Sequence, residues 1–279
     1  MGLAGTGEIV TAARVAGVGA GSFNVVGLES AEAIVAGAAL VNAQVILQVS
    51  ENCVRYHGAA EPVIAAVLAI ARAADQPVAV HLDHATSADL VRAAVKAGAC
   101  SVMFDASALG YVANVDATAE IADWCHDRGV WVEAELGEIG GKDGVHAPGV
   151  RTRPDEAAAY VAATGVDALA VAVGSSHAML SRDARLDHDL IRKISAVVPV
   201  PLVLHGSSGV PDDGLAEAVR SGITKINIAT QLNKVFTAAV RDHLSCDQGV
   251  VDPRKYLAAG REAVAAEVAR LLVVLGAAR

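Results

Sequence analysis

The stretch VAVHLDHATSADL (78–90) ends an apolar run with His81, Asp83 and His84. The apolar, β-branched run makes 78–83 a strand, so ionisable groups gather where a strand stops. His177 and His205 stand in the same relation to the apolar runs ALAVAVG (168–174) and PLVLHG (201–206). Neutral imidazoles from separate strand ends can converge on one Zn²⁺ and leave a position open for substrate. One such histidine alone reads as an ordinary hydrogen-bonded side chain. Three at one face make a metal site the expected reading, with the carboxylate of Asp83 beside it. Asn24, Ser50, Asp105, Glu133, Glu135 and Asn227 are the other polar residues at predicted strand ends. His81 and Glu133 read as structural.

The elements that must position these groups alternate. Predicted strands lie at 22–26, 44–50, 78–83, 101–107, 131–137, 168–174, 201–206 and 225–230. Between them are Ala-rich stretches with helical spacing, such as 30–42 and 154–165. Eight strand–helix units predict an α/β fold, a (β/α)8 TIM barrel, whose strand C-termini share one face. An open doubly wound sheet is the alternative, but no G-x-G-x-x-G follows the first strand. IGGKDGVHAPGVRTRP (139–154) is too long for an ordinary βα connection and falls on the site face. DPRKYLAAGREAVAAEVARLLVVLG (252–276) predicts an additional C-terminal helix. No composition shift divides the chain, so residues 1–279 read as one domain.

With 279 residues and 53% hydrophobic content the chain can bury a large core, yet aromatics are only 3%. The core is therefore built from Ala, Val, Leu and Ile. The formal charge, 22 − 31 = −9, comes without a basic run, which argues against nucleic acid as a partner. Cys53, Cys100, Cys125 and Cys246 form no C-x-x-C pair and read as reduced thiols. No basic apolar leader and no apolar run of about 18 residues is present. The expectation is a cytoplasmic chain without a membrane partner.

These blocks carry a family resemblance. VHLDHA (80–85) and VEAELGEIGGKD (132–143) resemble the two signatures of the class II, zinc-dependent ketose-bisphosphate aldolases. AVGSSHAM (172–179), PLVLHGSSGVP (201–211) and KINIATQL (225–232) are similar to further blocks of that family, in the same order. The resemblance implies cleavage of a ketose 1,6-bisphosphate, fructose 1,6-bisphosphate foremost, into dihydroxyacetone phosphate and glyceraldehyde 3-phosphate, an activity of glycolysis. It implies a catalytic Zn²⁺ on His84, His177 and His205, and a second divalent or a monovalent cation near Asp105 and Glu135. Asp83 matches the acid/base residue. Asn227 matches both a catalytic and a substrate-binding position. Asn24, Ser50, Ala178, Gly206, Ser207, Ser208, Ile228, Ala229 and Thr230 match substrate-binding segments. Arg254 aligns with an arginine that reaches the substrate of a neighbouring subunit, which implies a homodimer or homotetramer.

The sequence departs from that pattern in places. The second signature normally closes on glutamate, and here Asp143 stands there, with His146 as a second candidate on the same loop for moving the C3 proton. Ala178 replaces a frequent glycine. Ala229 is shared with tagatose-type relatives, so fructose and tagatose bisphosphates, or another ketose phosphate, stay open. Two further alternatives are a non-catalytic phosphosugar-binding barrel and a Schiff-base aldolase. The latter needs a desolvated lysine near the carbonyl, whereas strand six has none and Lys225 is expected low in the barrel.

Overall fold

The structure is a computed structural model that describes residues 2–136, 151–176 and 179–278. Eight parallel strands close into a barrel in chain order: β1 (Ala20–Asn24), β2 (Val45–Ser50), β3 (Val78–Ala85), β4 (Ser101–Phe104), β5 (Trp131–Glu135), β6 (Ala168–Ala170), β7 (Leu202–Leu204) and β8 (Ile223–Ile228). Pairing of Ala20–Phe23 with Lys225–Ile228 completes the ring.

The two-residue period of a strand explains what each side buries. Along β2 and β3, Val45, Leu47 and Val49, with Val78, Val80 and Leu82, belong to the core between barrel and outer helices. Ile46, Gln48 and Ser50 pair in register with Ala79, His81 and Asp83 on the opposite, inward side. Truncating a fully buried outward residue such as Leu47 would cost about 2–5 kcal/mol.

The inside of the barrel is layered. At the strand N-termini, Ala20, Ile46 and Ala79 pack on Ile9, Val10 and Ala13. Those three lie on helix Thr6–Ala16, an element not anticipated from sequence, which plugs this end. Above it Met103, Ala168, Ala170 and Val203 form a second apolar patch. Higher still the interior turns polar, and there the site begins.

Several predicted strands run too far. The run 168–174 leaves the sheet after Ala170, because Ala172 and Val173 offer their carbonyls to Thr152 N–H (2.9 Å) and Asp187 N–H (2.8 Å) in the connecting segments. The run 101–107 stops at Phe104, and Asp105 Oδ1 then turns the chain by accepting from Ser107 N–H at 3.1 Å. The 22–26 strand instead spans 20–24, and that at 225–230 begins two residues earlier.

The C-terminal helix Pro253–Val274 packs against helices Leu28–Leu40 and Thr230–Cys246. Its approach to the first of these is backbone to backbone. A Cβ on Gly37 would lie 2.4 Å from the Ala265 carbonyl oxygen and 2.8 Å from Val268 Cβ. Among the described residues no single helix is long and apolar enough to cross a membrane.

Candidate metal and phosphate site

Regular alternation along β3 would send Asp83 and His84 to opposite faces, yet both line one cavity. The register between β3 and β4 shifts between Leu82 and Ala85, and His84 has φ +50°. A bulge of this kind re-aims a side chain, and a left-handed non-glycine residue costs about 1–3 kcal/mol unless its surroundings fix it. Glu51, the first residue of helix Glu51–His57, supplies that restraint. Its carboxylate accepts from Thr86 N–H at 2.7 Å and from Thr86 Oγ1–H at 2.9 Å. Burial alone would raise the Glu51 carboxyl, but the Thr86 hydrogen bonds and Arg55 outweigh it and leave the pKa lowered.

The two imidazoles face each other. His84 Nε2 is 3.0 Å from His205 Nδ1. The far nitrogen of each ring meets a carboxylate: His84 Nδ1 with Asp105 Oδ2 at 2.8 Å, and His205 Nε2 with Glu133 Oε1 at 2.8 Å. Ionised carboxylates only accept, so those outer nitrogens carry the protons. In neutral rings the inner nitrogens then point two lone pairs at one another, an arrangement that needs a proton or a cation between them. Carboxylates behind metal-bound histidines fix tautomers in this way. Burial depresses the His84 pKa, but the Asp83 charge, the Asp105 hydrogen bond and the Glu135 charge outweigh it and push it up to about 10. For Asp105 burial works upward, and its bonds to His84 and Ser107 hold it far below the usual carboxylate range.

Among the described residues, two groups of ligand-type side chains bring their donor atoms within 4.8 Å of one another. One is Asp83, His84 and His205; the other is His84, Asp105 and Glu135. Imidazole with carboxylate suits zinc and related divalent ions. Asp83 is 3% exposed, and among the described residues its Oδ1 has no hydrogen-bond partner although it is buried beside the cavity. Burial raises its pKa, against the pull of His84 and Lys225.

Beneath this layer Lys225 and Glu133 lie in the barrel interior. Lys225 Nζ contacts Glu133 Oε2 at 2.8 Å and donates to Asn227 Oδ1 at 2.8 Å and Gln48 Oε1 at 3.2 Å. With Oδ1 so engaged, Asn227 turns its Nδ2 toward the His205 ring, 3.1 Å from Nε2. His81 is fully buried and shares a 2.7 Å hydrogen bond with Ser101. Burial, followed by the Lys225 charge, pushes its pKa well down.

The opposite wall of the cavity is made of turns. Gly206 adopts φ +67° between β7 and the short turn Ser207–Gly209, and a Cβ there would fall 2.6 Å from the Ser176 carbonyl group. Ser208 Oγ accepts from Ala229 N–H (3.3 Å) and Gln231 N–H (3.1 Å), joining this turn to the N-terminus of helix Thr230–Cys246. A glycine-containing turn beside a helix N-terminus is suited to an anion. The cavity, about 370 Å³, has the imidazoles and Asp83 on one side and Gly206, Ser208, Ala229 and Thr230 on the other.

The structure therefore brings Asn24, Ser50, Asp83, His84, His205, Gly206, Ser208, Asn227, Ala229 and Thr230 to one cavity. Ser50 also caps helix Glu51–His57, accepting from Cys53 N–H at 3.2 Å. Ser207 turns its hydroxyl back to the Leu204 carbonyl at 3.0 Å, and Ile228 is buried in the outer core, so neither side chain lines the cavity. Asp105 and Glu135 stand behind and beside His84. Arg254 is 89% exposed and pairs with Asp252, away from the cavity of its own chain. Asp143, His146, His177 and Ala178 lie outside the described residues. Gln48 and Ser176 line the cavity without having been singled out. For Gln48 the signal was present, since it lies two residues before Ser50 on the same strand face. Glu133, read as structural, contacts His205 directly.

Comparison with known proteins agrees with this arrangement. A family model described as fructose-bisphosphate aldolase class-II matches residues 4–279. A fructose-bisphosphate aldolase of Geobacillus stearothermophilus is 41% identical over 252 residues, covering 89% of this chain and 88% of that protein. The crystal structure of the YdjI aldolase from Escherichia coli K12 superposes with a TM-score of 0.88 at 30% identity, covering 99% of this chain and 98% of that one. Fructose-bisphosphate aldolase from Campylobacter jejuni shares the fold, with a TM-score of 0.83 at 22% identity over 99% of this chain and 96% of that one.

Proposed function

The chain belongs to the class II fructose-bisphosphate aldolase family of lyases, and from this we propose that it cleaves fructose 1,6-bisphosphate reversibly to dihydroxyacetone phosphate and glyceraldehyde 3-phosphate, with zinc as the cation. The observation that carries the reading is the pair of facing imidazole nitrogens, His84 Nε2 and His205 Nδ1, beside Asp83 Oδ1, which has no hydrogen-bond partner among the described residues. His84 and His205 would hold the cation, with His177 as the third ligand the sequence resemblance implies. When bound, it supplies Lewis acidity to the substrate's C2 carbonyl.

The chain's own residues do the rest. Backbone N–H groups of the turn after Gly206 and of Thr230 at the helix start bind the phosphate of the dihydroxyacetone half. Asn227, oriented by Lys225, donates to a substrate oxygen beside the His205 ring. Asp83 takes the C4 hydroxyl proton in cleavage and returns it in condensation. Its raised pKa suits a group that must hold a proton part of the time. On the sequence resemblance, Asp143 or His146 moves the C3 proton, and Arg254 serves a neighbouring copy in a homo-oligomer.

Fructose and tagatose 1,6-bisphosphates differ only in configuration at C4, which Asp83 addresses. A coupled assay of both sugars, with and without a chelator, tests the reading. Cleavage of fructose 1,6-bisphosphate that stops with chelator and returns with Zn²⁺ is the expected result. Turnover of neither sugar by zinc-loaded protein would refute it.

A further inference from the structure

The two turns that form the anion-binding wall belong to separate elements, and a chain of ion pairs outside the cavity ties them together. The side chain of Gln231, in the first turn of helix Thr230–Cys246, donates from Nε2 to Glu267 Oε1 at 2.9 Å. Glu267 lies on the C-terminal helix and is gripped at both oxygens by Arg270, Nε to Oε2 at 2.8 Å and Nη2 to Oε1 at 2.9 Å. The third nitrogen of the same guanidinium, Nη1, donates to Asp212 Oδ2. Asp212 opens helix Asp212–Ser221, directly after the Ser207–Gly209 turn. Its other oxygen accepts from Arg182 Nη2 at 2.6 Å, and Arg182 also donates to the Val210 carbonyl at 2.8 Å.

Isolated surface ion pairs contribute little to stability, and Arg270 and Asp212 are each about two-fifths exposed. What distinguishes this network is where its ends attach. One end is the helix start that follows β8, the other the segment that follows β7. A planar guanidinium can engage one carboxylate with two nitrogens and a second with the third, which an ammonium cannot.

We propose that Arg270 is a positioning residue for the substrate phosphate: through Glu267 and Asp212 it sets the spacing of the turn at 207–209 and the helix start at 230–231 so that both face one phosphate. This rests on the reading above that these turns hold the phosphate.

The test compares wild type, Arg270→Met and Arg270→Lys by cleavage kinetics, by calorimetric titration with inorganic phosphate, and by thermal unfolding. In Arg270→Met, KM and the phosphate dissociation constant rise about tenfold while kcat and zinc content stay within about twofold; Arg270→Lys falls between, near threefold. Unchanged KM and phosphate affinity in a folded Arg270→Met protein would overturn the inference. So would a fall in kcat at constant KM, which would put the effect on the reacting centre. Should Arg270→Met fail to fold, Arg270→Lys decides, and phosphate affinity equal to wild type would overturn the inference. A wild-type protein that cleaves neither sugar would refute the activity, while the phosphate titration would still judge Arg270.

Discussion

Lys225 Nζ lies 2.8 Å from Glu133 Oε2 at the heart of the barrel, and neither side chain has any solvent exposure. A lysine so placed cannot present a free amine to a substrate carbonyl, which removes the basis for Schiff-base chemistry at this position. The same pair holds up the site, because Glu133 grips His205 while Lys225 grips Asn227. Breaking a buried pair on one side leaves an uncompensated charge. Lys225→Met is expected to lose about 3–5 kcal/mol in urea unfolding. Adding Glu133→Gln should recover part of that loss, and a single variant as stable as wild type would contradict the placement.

Metal retention and proton transfer are expected to separate by mutation. His205→Ala loses zinc and activity together, read by elemental analysis of dialysed protein. Asp83→Ala keeps its zinc, while kcat falls about 10²–10⁴-fold, the usual contribution of an acid/base group. Full zinc occupancy in the first variant, or unaltered turnover in the second, would remove that residue from its assigned role.

The left-handed backbone at His84 depends on Glu51, whose carboxylate holds Thr86 two residues on. Glu51→Ala should cost about 1.5–3 kcal/mol, the range for a hydrogen bond to a charged group. It should also weaken zinc binding in competition with a chelating dye. Glu51→Gln retains one acceptor and is expected to lie between. Equal zinc affinity in all three proteins would mean that the bulge holds without this clamp.

Acid should loosen the C-terminal helix. Burial raises the Asp212 and Glu267 carboxyls. For Asp212 the Arg182 and Arg270 hydrogen bonds reverse this, for Glu267 those of Arg270 and Gln231, and both pKa values end lowered. A lowered folded-state value stabilises above the unfolded pKa, about 3.9 for Asp and 4.3 for Glu. That contribution is lost as pH falls through the folded value. Wild-type stability, followed by urea midpoints, should therefore drop below about pH 4.5. Arg270→Met should drop less steeply, and parallel curves would show that the guanidinium does not set these values.

Much of the scaffold could be read from residue order. The apolar run in VAVHLD announced β3 and put His81, Asp83 and His84 where that strand ends. The ring of eight strands followed from counting such runs. The site was less legible where geometry departs from a regular strand. In HLDHA two polar residues, Asp83 and His84, follow one another, and nothing local reveals the positive φ that turns His84 inward beside Asp83. The partnership of Glu133 with Lys225 joins residues far apart in sequence, and each looked ordinary within its own strand. Helix Thr6–Ala16 escaped notice because it precedes the first repeat. Arg254, which the resemblance assigns to the substrate of a neighbouring copy, stands in solvent on its own chain.

Because the ring closes by joining Ala20–Phe23 to Lys225–Ile228, the pocket is complete only once the eighth strand is in place. A nascent polypeptide halted before residue 228 has an open seam where Asn227 and the cationic partner of Glu133 belong. Catalytic competence should thus appear abruptly late in synthesis, and premature stop codons upstream of that point should yield inactive fragments, not weakened enzymes.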